Sequence, residues 1–295
     1  MGTPDHTEEA AEMKFWKYEG IGNDFIVLDG IRSSLRINTD LCKKICDRHF
    51  GIGADGVVYI LPGENGADIT MRVINPDGSE AEMCGNGIRC LAKHAYETWL
   101  VKKTKFLVGT RRGLHEVEVF KDENGRVKSV RVNMGGPILD CKTVPVNFDG
   151  ERMMSQPIDV DGITVTGSAV SMGNPHFVTF DDLDDETITK LGPKMECHKI
   201  FPRKANIEFA KIVDGNIEIR VYERGVSWTL GCGTGACATA TVAALNGKVP
   251  FNEPVNVHLP GGWLDVIIDK DLQFATMEGP VKFIFSGDLS EKVIL

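Results

Sequence analysis

Ile69-Thr-Met-Arg-Val-Ile-Asn75 recurs 148 residues later in the chain as Ile217-Glu-Ile-Arg-Val-Tyr-Glu223. The same offset of 148 separates Cys84-Gly-Asn-Gly87 from Cys232-Gly-Thr-Gly235, and it is about half of the 295-residue length. Self-similarity at one fixed offset is typical of an internal duplication, in which each copy folds into the same unit. The sequence therefore predicts two similar halves, each carrying one cysteine loop.

Three further pairs of similar segments occur in the same order, at offsets of 143 to 151: Gly22–Val27 with Gly173–Val178, Gly113–Val119 with Gly262–Ile268, and Gly136-Pro137 with Gly279-Pro280. Five ordered matches favour a duplication over the alternative, two independent domains without a shared site. Halves related by a pseudo-two-fold axis would bring the two cysteine loops face to face across a cleft.

The predicted elements are mostly strands, with one prominent helix in each half. Residues 88–99 have helical spacing, with Leu91 and Trp99 on one face. Residues 236–245 are small, so that helix can be buried on all sides. Because helices do not alternate regularly with strands, the fold class is α+β. We predict that each half wraps a mostly antiparallel sheet around its central helix.

The duplication also sets the predicted domain boundaries. Residues 13–134 form the N-terminal half, residues 135–280 form the C-terminal half, and residues 281–295 return a strand to the N-terminal half. The active site is expected in the cleft between the halves. Residues 1–12 contain four acidic side chains and no Lys or Arg, and are predicted to be a disordered tail.

The composition excludes several classes of function. Hydrophobic residues make up 42% of the chain and charged residues 25%, as in ordinary globular proteins. A net charge of −9 without a basic stripe argues against nucleic-acid binding. No apolar run can span a bilayer, and the acidic start suits neither a secretory signal nor a transit peptide. Eight scattered cysteines indicate reduced thiols. We predict a cytoplasmic protein with neither a nucleic-acid nor a membrane partner.

Cys84 and Cys232 each precede a predicted helix in a Cys-Gly-x-Gly loop. A free thiol titrates near pH 8.5, and a helix N-terminus lowers that pKa. The glycine amides at such a terminus can also hold a carboxylate. Two facing loops of this kind suit proton removal and return at one carbon atom. The alternative, that both cysteines are merely small buried residues, describes a lone cysteine better than a matched pair.

Two other motifs are weaker. Gly51–Gly56 fits the string G-x-G-x-x-G, but it follows a predicted helix and precedes a strand, the reverse of a dinucleotide site. Cys42 and Cys46 have a spacing that metal ligands can share, yet no second ligand pair follows. On the helix predicted over residues 40–50, with Thr39 as its N-cap, both suit the core. We predict no metal site.

The chain resembles the diaminopimelate epimerases, a family of cofactor-independent two-thiol racemases. The similarity covers almost everything from residue 13 onward. Its most specific segments are Gly20–Phe25, Asn75–Arg89, Gly173–His176, Glu223–Gly225 and Cys232–Cys237. The related proline racemases carry a similar Met-Cys-Gly loop with His where this chain has Asn86, which favours the epimerases. One departure lies between Glu223 and Thr229, where Ser227 and Trp228 replace the family's glycine and carboxylate.

The resemblance implies roles for individual residues. Cys84 and Cys232 would be the thiolate–thiol pair that removes and replaces the α-hydrogen of an amino acid. His176 would lie beside the reacting centre, or else be a structural histidine. The implied substrate contacts are backbone amides at Gly85, Asn86, Gly233 and Thr234 for the α-carboxylate, Glu223 and Arg224 for the reacting head, and Asn23, Asn75, Asn174 and Asn206 for the amino group and the distal end.

The predicted function is cofactor-independent interconversion of LL- and meso-2,6-diaminopimelate by a two-base mechanism, a step in lysine biosynthesis. The partner is a small amino-acid substrate, and the resemblance implies a homodimer. Two alternatives remain open. One is a proline or hydroxyproline racemase, and the other is a non-enzymatic redox switch that uses the facing thiols.

Overall fold

The computed structural model describes residues 13–33 and 37–289. The tail predicted over residues 1–12 and the end of the terminal stretch, residues 290–295, lie outside this part. The described residues form eighteen strands and four helices, and the helices are α1 Thr39–Cys46, α2 Gly85–Glu97, α3 Asp185–Glu196 and α4 Gly233–Leu245.

The strands divide between the two repeats. Those of the first are β1 Met13–Gly20, β2 Asn23–Asp29, β3 Gly56–Pro62, β4 Ile69–Ile74, β5 Glu80–Ala81, β6 Lys105–Thr110, β7 Gly113–Lys121 and β8 Val127–Gly135. Those that follow are β9 Gln156–Val160, β10 Ile163–Ser171, β11 Pro175–Thr179, β12 Asn206–Val213, β13 Asn216–Glu223, β14 Ser227–Thr229, β15 Val255–Leu259, β16 Gly262–Ile268, β17 Ala275–Pro280 and β18 Lys282–Leu289.

The same topology appears twice. Most strand pairs are antiparallel, and the parallel pairs occur at matching places: β2 with β3 and β4 with β6 in the first repeat, β11 with β12 and β13 with β15 in the second. Helix α2 packs against strands of the first repeat, and α4 packs against strands of the second. The predicted α+β fold, with a sheet wrapped around a central helix in each half, is confirmed.

The repeats are joined by several contacts, among them two strand pairs and one contact between helices. Strand β8 pairs with β17, and β18 returns to pair with β1. The N-termini of α2 and α4 also meet, at Gly85 and Gly233. A Cβ atom added to Gly233 would lie 3.7 Å from the Gly85 Cα and 2.7 Å from the Met277 Sδ. Glycine at this position leaves room for the Met277 side chain, and the approach of the two helices brings the two cysteine loops together.

Both central helices begin earlier than predicted. They start at Gly85 and Gly233, because Cys84 and Cys232 are their N-caps. Glycine is a poor helix former, so the first turns carry no helical signal in the sequence. Trp99, predicted on the buried face of α2, is 72% exposed because it follows the end of the helix, with a φ of 63°.

Other boundaries also differ from the predictions. Asn38 rather than Thr39 caps α1, since its side chain accepts the Leu41 amide, and that helix ends at Cys46. Residues 105–121 form a hairpin of β6 and β7 that turns at residues 111–112. Helix α3 was not predicted, because Gly192 and Pro193 interrupt its helical pattern. It begins after its N-cap Asp184, whose side chain accepts a hydrogen bond from the Thr187 amide.

Helix α4 is buried on all sides, from Ala236 to Ala244. Replacing Ala240, which is 0% exposed, with Leu should therefore overpack the C-terminal half and lower the free energy of unfolding by about 1–3 kcal/mol. Chemical denaturation followed by circular dichroism measures the change. Lys190→Leu, on the exposed side of α3, is the control and should change stability by less than about 1 kcal/mol. Equal stability of Ala240→Leu and the wild type would contradict this packing.

Candidate active site

A cavity of about 430 Å³ opens where the N-termini of α2 and α4 meet. It is lined by eleven of the thirteen residues predicted for the site: Asn23, Asn75, Cys84, Gly85, Asn86, Asn174, Glu223, Arg224, Cys232, Gly233 and Thr234. The two others, His176 and Asn206, are buried behind its wall. A larger groove of about 870 Å³, between Lys93 and Phe283, contains none of the predicted residues.

The two thiols occupy equivalent positions. The Cys84 Sγ accepts a hydrogen bond from the Gly87 amide at 3.3 Å, and the Cys232 Sγ accepts one from the Gly235 amide at 3.3 Å. Each sulfur thus caps its helix at the end where the backbone amides point outward, and such amides favour negative charge. The Thr234 Oγ1 lies 3.5 Å from the Cys232 Sγ, a contact that Cys84 does not share.

Burial controls the acidity of both thiols. It raises the pKa of Cys84, although the Gly87 amide acts in the opposite direction. Burial also raises the pKa of Cys232, and the carboxylates of Glu223 and Glu208 add to the rise. The lowered pKa expected at a helix N-terminus is therefore outweighed by burial at both cysteines.

Asn86 connects the loops of the two repeats. Its amide nitrogen donates to the Gly231 carbonyl at 3.0 Å and to the Asn23 Oδ1 at 3.2 Å. The Asn23 amide in turn donates to Asp55 at 2.6 Å. These bonds hold the Cys84 loop against Gly231, the residue before Cys232. The two cysteine loops therefore form one wall of the cavity.

His176 is fully buried and reaches the cavity only through other residues. Its Nε2 lies 3.0 Å from the Asn174 Oδ1, and the Asn174 Nδ2 donates to the Thr234 Oγ1 at 3.3 Å. Its Nδ1 lies 2.6 Å from Glu208 Oε1, and both side chains are 0% exposed. Burial raises the pKa of Glu208. A hydrogen-bonded chain therefore runs from Glu208 to the threonine beside Cys232.

The segment after β13 is held from two sides. The Asn206 Oδ1 accepts the backbone amide of Arg224 at 2.8 Å, which explains how a residue behind the wall shapes the cavity. The Thr229 hydroxyl donates to Glu223 Oε1 at 2.6 Å, and burial raises the pKa of Glu223. Asn75 donates to Ser79 at 2.9 Å and lines the opposite side.

The departures at Ser227 and Trp228 lie away from the cavity. The Trp228 ring packs edge-on against Tyr222, with ring centroids 5.3 Å apart, and the Arg220 guanidinium lies over it at 4.7 Å. Thr229, the next residue, donates to Glu223 on the cavity wall. The tryptophan therefore packs against the strands that support this segment, and neither Ser227 nor Trp228 lines the cavity.

Sequence reasoning missed Glu208, behind the wall, and seven lining residues: Glu80, Ala81, Glu82, Met83, Arg112, Gly173 and Gly231. Glu208 lies two residues after Asn206 in a strand, where a buried carboxylate has no local signal. Arg112 lines the cavity from the turn between β6 and β7. A charged residue directly before Gly113, which is part of the repeat, was the available hint.

Cys42 and Cys46, whose spacing metal ligands can share, lie on α1 and are buried in the core. Within residues 13–33 and 37–289, no three His, Cys, Asp or Glu side chains are arranged to hold a metal ion. None of the helices described here is long and apolar enough to cross a membrane.

Solved structures share this fold at low sequence identity. A probable proline racemase from Agrobacterium radiobacter superposes with a TM-score of 0.72 at 14% identity, covering 94% of this chain and 93% of the other. A hydroxyproline epimerase from Agrobacterium vitis gives a TM-score of 0.70 at 13% identity, covering 95% of this chain and 93% of the other. These likenesses establish the architecture alone.

Sequence relatives are far closer. A diaminopimelate epimerase from Moorella thermoacetica is 42% identical over 279 residues, which are 94% of this chain and 99% of that one. One from Synechocystis is 43% identical over 280 residues, which are 93% of this chain and 98% of the other. The family model for diaminopimelate epimerase matches residues 15–139 and 168–284. The chain belongs to the diaminopimelate epimerase family.

Proposed function

We propose that the protein is an isomerase that interconverts LL- and meso-2,6-diaminopimelate in lysine biosynthesis, without a cofactor. The observation that carries the proposal is that Cys84 and Cys232 line one cavity, each as the N-cap of a central helix. The identity of the substrate is inferred from the family to which the chain belongs. The racemase alternatives are not favoured, because the proline racemase and hydroxyproline epimerase structures are only 14% and 13% identical.

The proposed reaction uses the two sulfurs in turn. A thiolate on one side takes the α-hydrogen as a proton, so that the Cα–H bond breaks and an S–H bond forms. The opposing thiol then gives its proton to the other face of the same carbon, and its S–H electrons remain on sulfur. The protein thus ends with the protonation states of the two cysteines exchanged, and they titrate as a coupled pair.

The surrounding residues stabilise the charge that develops during this transfer. We assign the α-carboxylate to the backbone amides of Gly85, Asn86, Gly233 and Thr234, at two helix N-termini. Fixed dipoles in a site with little water stabilise such charge strongly. The remaining proposed contacts are Glu223 and Arg224 for the reacting head, and Asn23, Asn75, Asn174 and Asn206 for the amino group and the distal end.

His176 has a positioning role in this scheme. It is fully buried and contacts Asn174 and Glu208 rather than the cavity. Since Asn174 bonds to Thr234 beside the second sulfur, the histidine fixes the orientation of both side chains. This arrangement supports an effect of His176 on the thiol of Cys232 through intervening groups.

We further propose a cytoplasmic homodimer built from a half at residues 13–134 with 281–295 and a half at residues 135–280. Free Cys84 and Cys232 need a reducing compartment to stay reduced, which supports the location. A row of exposed apolar side chains on β18, Phe283 to Phe285, supports association through that strand. The pairing of β18 with β1 supports the domain boundaries.

The substrate is tested by incubation in deuterated water. The protein should incorporate deuterium at one α-carbon of LL-diaminopimelate and none into L-proline or trans-4-hydroxy-L-proline. Mass spectrometry and NMR measure the exchange. Exchange into proline but not into diaminopimelate would replace the proposal with the racemase alternative.

Removing either thiol should abolish epimerisation. Cys84→Ala and Cys232→Ala each remove an acid–base group, and such groups typically contribute about 10²–10⁴-fold to the rate. The readout is initial epimerisation rate at saturating substrate. Cys197→Ala removes an exposed thiol outside the cavity and should keep wild-type activity. Turnover within tenfold of wild type in either active-site variant would contradict the two-thiol mechanism.

Activity should rise with pH across the neutral range. Burial raises the pKa of both thiols, so both are mostly protonated at pH 7, and the fraction of the thiolate base grows as the pH increases. The kcat/KM of the wild type, measured from pH 6 to pH 9, should therefore increase until the second thiol ionises. A flat profile over that range would show that the base is not a thiol of raised pKa.

A further inference from the structure

Arg89 is the largest of the fully buried side chains in the part of the chain that the structure describes, with 0% of its surface exposed. It lies on α2, the helix that Cys84 caps. The position 148 residues later, in the second repeat, is occupied by Cys237, so only the first repeat has this cation. None of the catalytic steps proposed above uses it. A buried charge in one repeat alone is not explained by the duplicated fold.

The Arg89 guanidinium lies at the junction of the two repeats, beneath the first turn of α2. Its Nη1 donates to the Gly85 carbonyl at 3.2 Å and lies 3.8 Å from the Met277 Sδ, while its Nε donates to the Pro280 carbonyl at 3.4 Å. Met277 and Pro280 belong to β17, a strand of the second repeat. Because Gly85 directly follows Cys84, the positive charge is placed within one residue of the first thiol.

The contacts of Arg89 leave its charge uncompensated. Its partners are carbonyl and thioether groups, and within residues 13–33 and 37–289 its Nη2 has no hydrogen-bond partner. The carboxylate that acts on it, Glu19, forms no ion pair with it, and instead accepts the Gly22 amide at 3.1 Å and pairs with Lys282 at 3.4 Å.

The buried thiols beside Arg89 do not supply a negative charge either. Cys90 follows it on α2, and Cys237 occupies the equivalent position on α4. Burial raises the pKa of both, to about 12 for Cys237, so both are protonated at pH 7. Among the thiols that act on the Arg89 charge, Cys84 is the one that lines the cavity.

An unpaired buried cation costs stability. Burial lowers the pKa of Arg89, which reflects that cost, yet a guanidinium stays protonated in proteins. Replacing buried charged groups with apolar residues of similar volume is often neutral or stabilising. A residue that is costly to the fold and present in one repeat alone points to a role in activity.

We infer that the buried charge of Arg89 favours the thiolate form of Cys84, which makes Arg89 a positioning residue for the proton transfer. This inference rests on the proposed function. Burial, the largest influence, raises the pKa of Cys84, and the Glu223 carboxylate adds to the rise. The amides of Gly87 and Asn86 and the charge of Arg89 act in the opposite direction. Without this cation, the thiol would be still harder to ionise.

A purely structural role for Arg89, as a clamp between α2 and β17, makes a different prediction. Loss of a clamp would lower the thermal midpoint of unfolding, and Arg89→Gln, which can still donate to a carbonyl, would be affected less than Arg89→Met. Loss of the charge would slow the reaction of Cys84 in both variants and leave the thermal midpoint unchanged or raised. The two roles are therefore separable by measurement.

The test is the rate at which iodoacetamide alkylates each cysteine at pH 8, followed by peptide mass spectrometry. Each pKa unit changes the thiolate fraction about tenfold, partly offset by the higher reactivity of a more basic thiolate. Cys84 should therefore react about three- to tenfold more slowly in Arg89→Gln and Arg89→Met than in the wild type. The exposed Cys197 is the internal reference and should react at the wild-type rate.

The matched control is Lys93→Met, which removes another buried cation of α2, one that is paired with Glu97 at 2.8 Å. It should leave the alkylation rate of Cys84 within twofold of wild type. In the epimerisation assay, the rise of kcat/KM with pH should move to higher pH in both Arg89 variants, because less thiolate is present at a given pH.

Three results would overturn the inference: alkylation of Cys84 within twofold of wild type in both Arg89 variants, equal slowing in Lys93→Met, or failure of both Arg89 variants to fold, which would assign Arg89 the structural role. The proposed function fails separately, if the wild type exchanges no α-hydrogen of diaminopimelate. In that case the alkylation rates still decide whether the charge acts on Cys84.

Discussion

The site depends on the contact between the N-termini of two helices from different repeats. Gly85 and Gly233 pack against each other with the Met277 side chain beside them, and a Cβ added to Gly233 would lie 2.7 Å from the Met277 Sδ. Because Cys84 and Cys232 are the residues directly before these glycines, the contact fixes both sulfurs at one cavity. It also directs two sets of free backbone amides at the same volume, which is what a bound carboxylate requires.

The pseudo-symmetry of this contact is broken behind the sulfurs. Gly87 packs against the methyl groups of Val58, whereas the equivalent Gly235 packs against the carboxylate of Glu208. His176 similarly stands where the first repeat has Phe25. Cys84 is therefore backed by apolar groups, and Cys232 by a buried polar chain. A mechanism that needs one thiolate and one thiol gains from this difference, since identical surroundings would not distinguish the two.

The sequence predicts those features that repeat and leaves unpredicted those that arise from distant contacts. The cysteine loops and the segments at Ile69 and Ile217 repeat, so two similar halves with both cysteines at one cleft follow from them, whereas the other predicted lining residues follow from the family resemblance. The helix starts at Gly85 and Gly233 do not follow, because glycine gives no helical pattern. Glu208 and Arg112 stand out only once folding brings Glu208 to His176 and Arg112 to Gly173. The direction of the thiol pKa shift depends on burial, which local sequence does not contain.

The raised thiol pKa is consistent with the chemistry. The α-hydrogen of an amino acid is a weak acid, so a thiolate of low pKa would be a poor base for it. Burial makes the thiolate a stronger base, and each pKa unit corresponds to about 1.36 kcal/mol. The α-ammonium of an entering amino acid supplies positive charge near the sulfur and favours its ionisation when substrate is present. Burial therefore keeps the thiol protonated in the free protein, and the positive charge of the substrate favours the thiolate in the complex. The strong base forms where the substrate is bound.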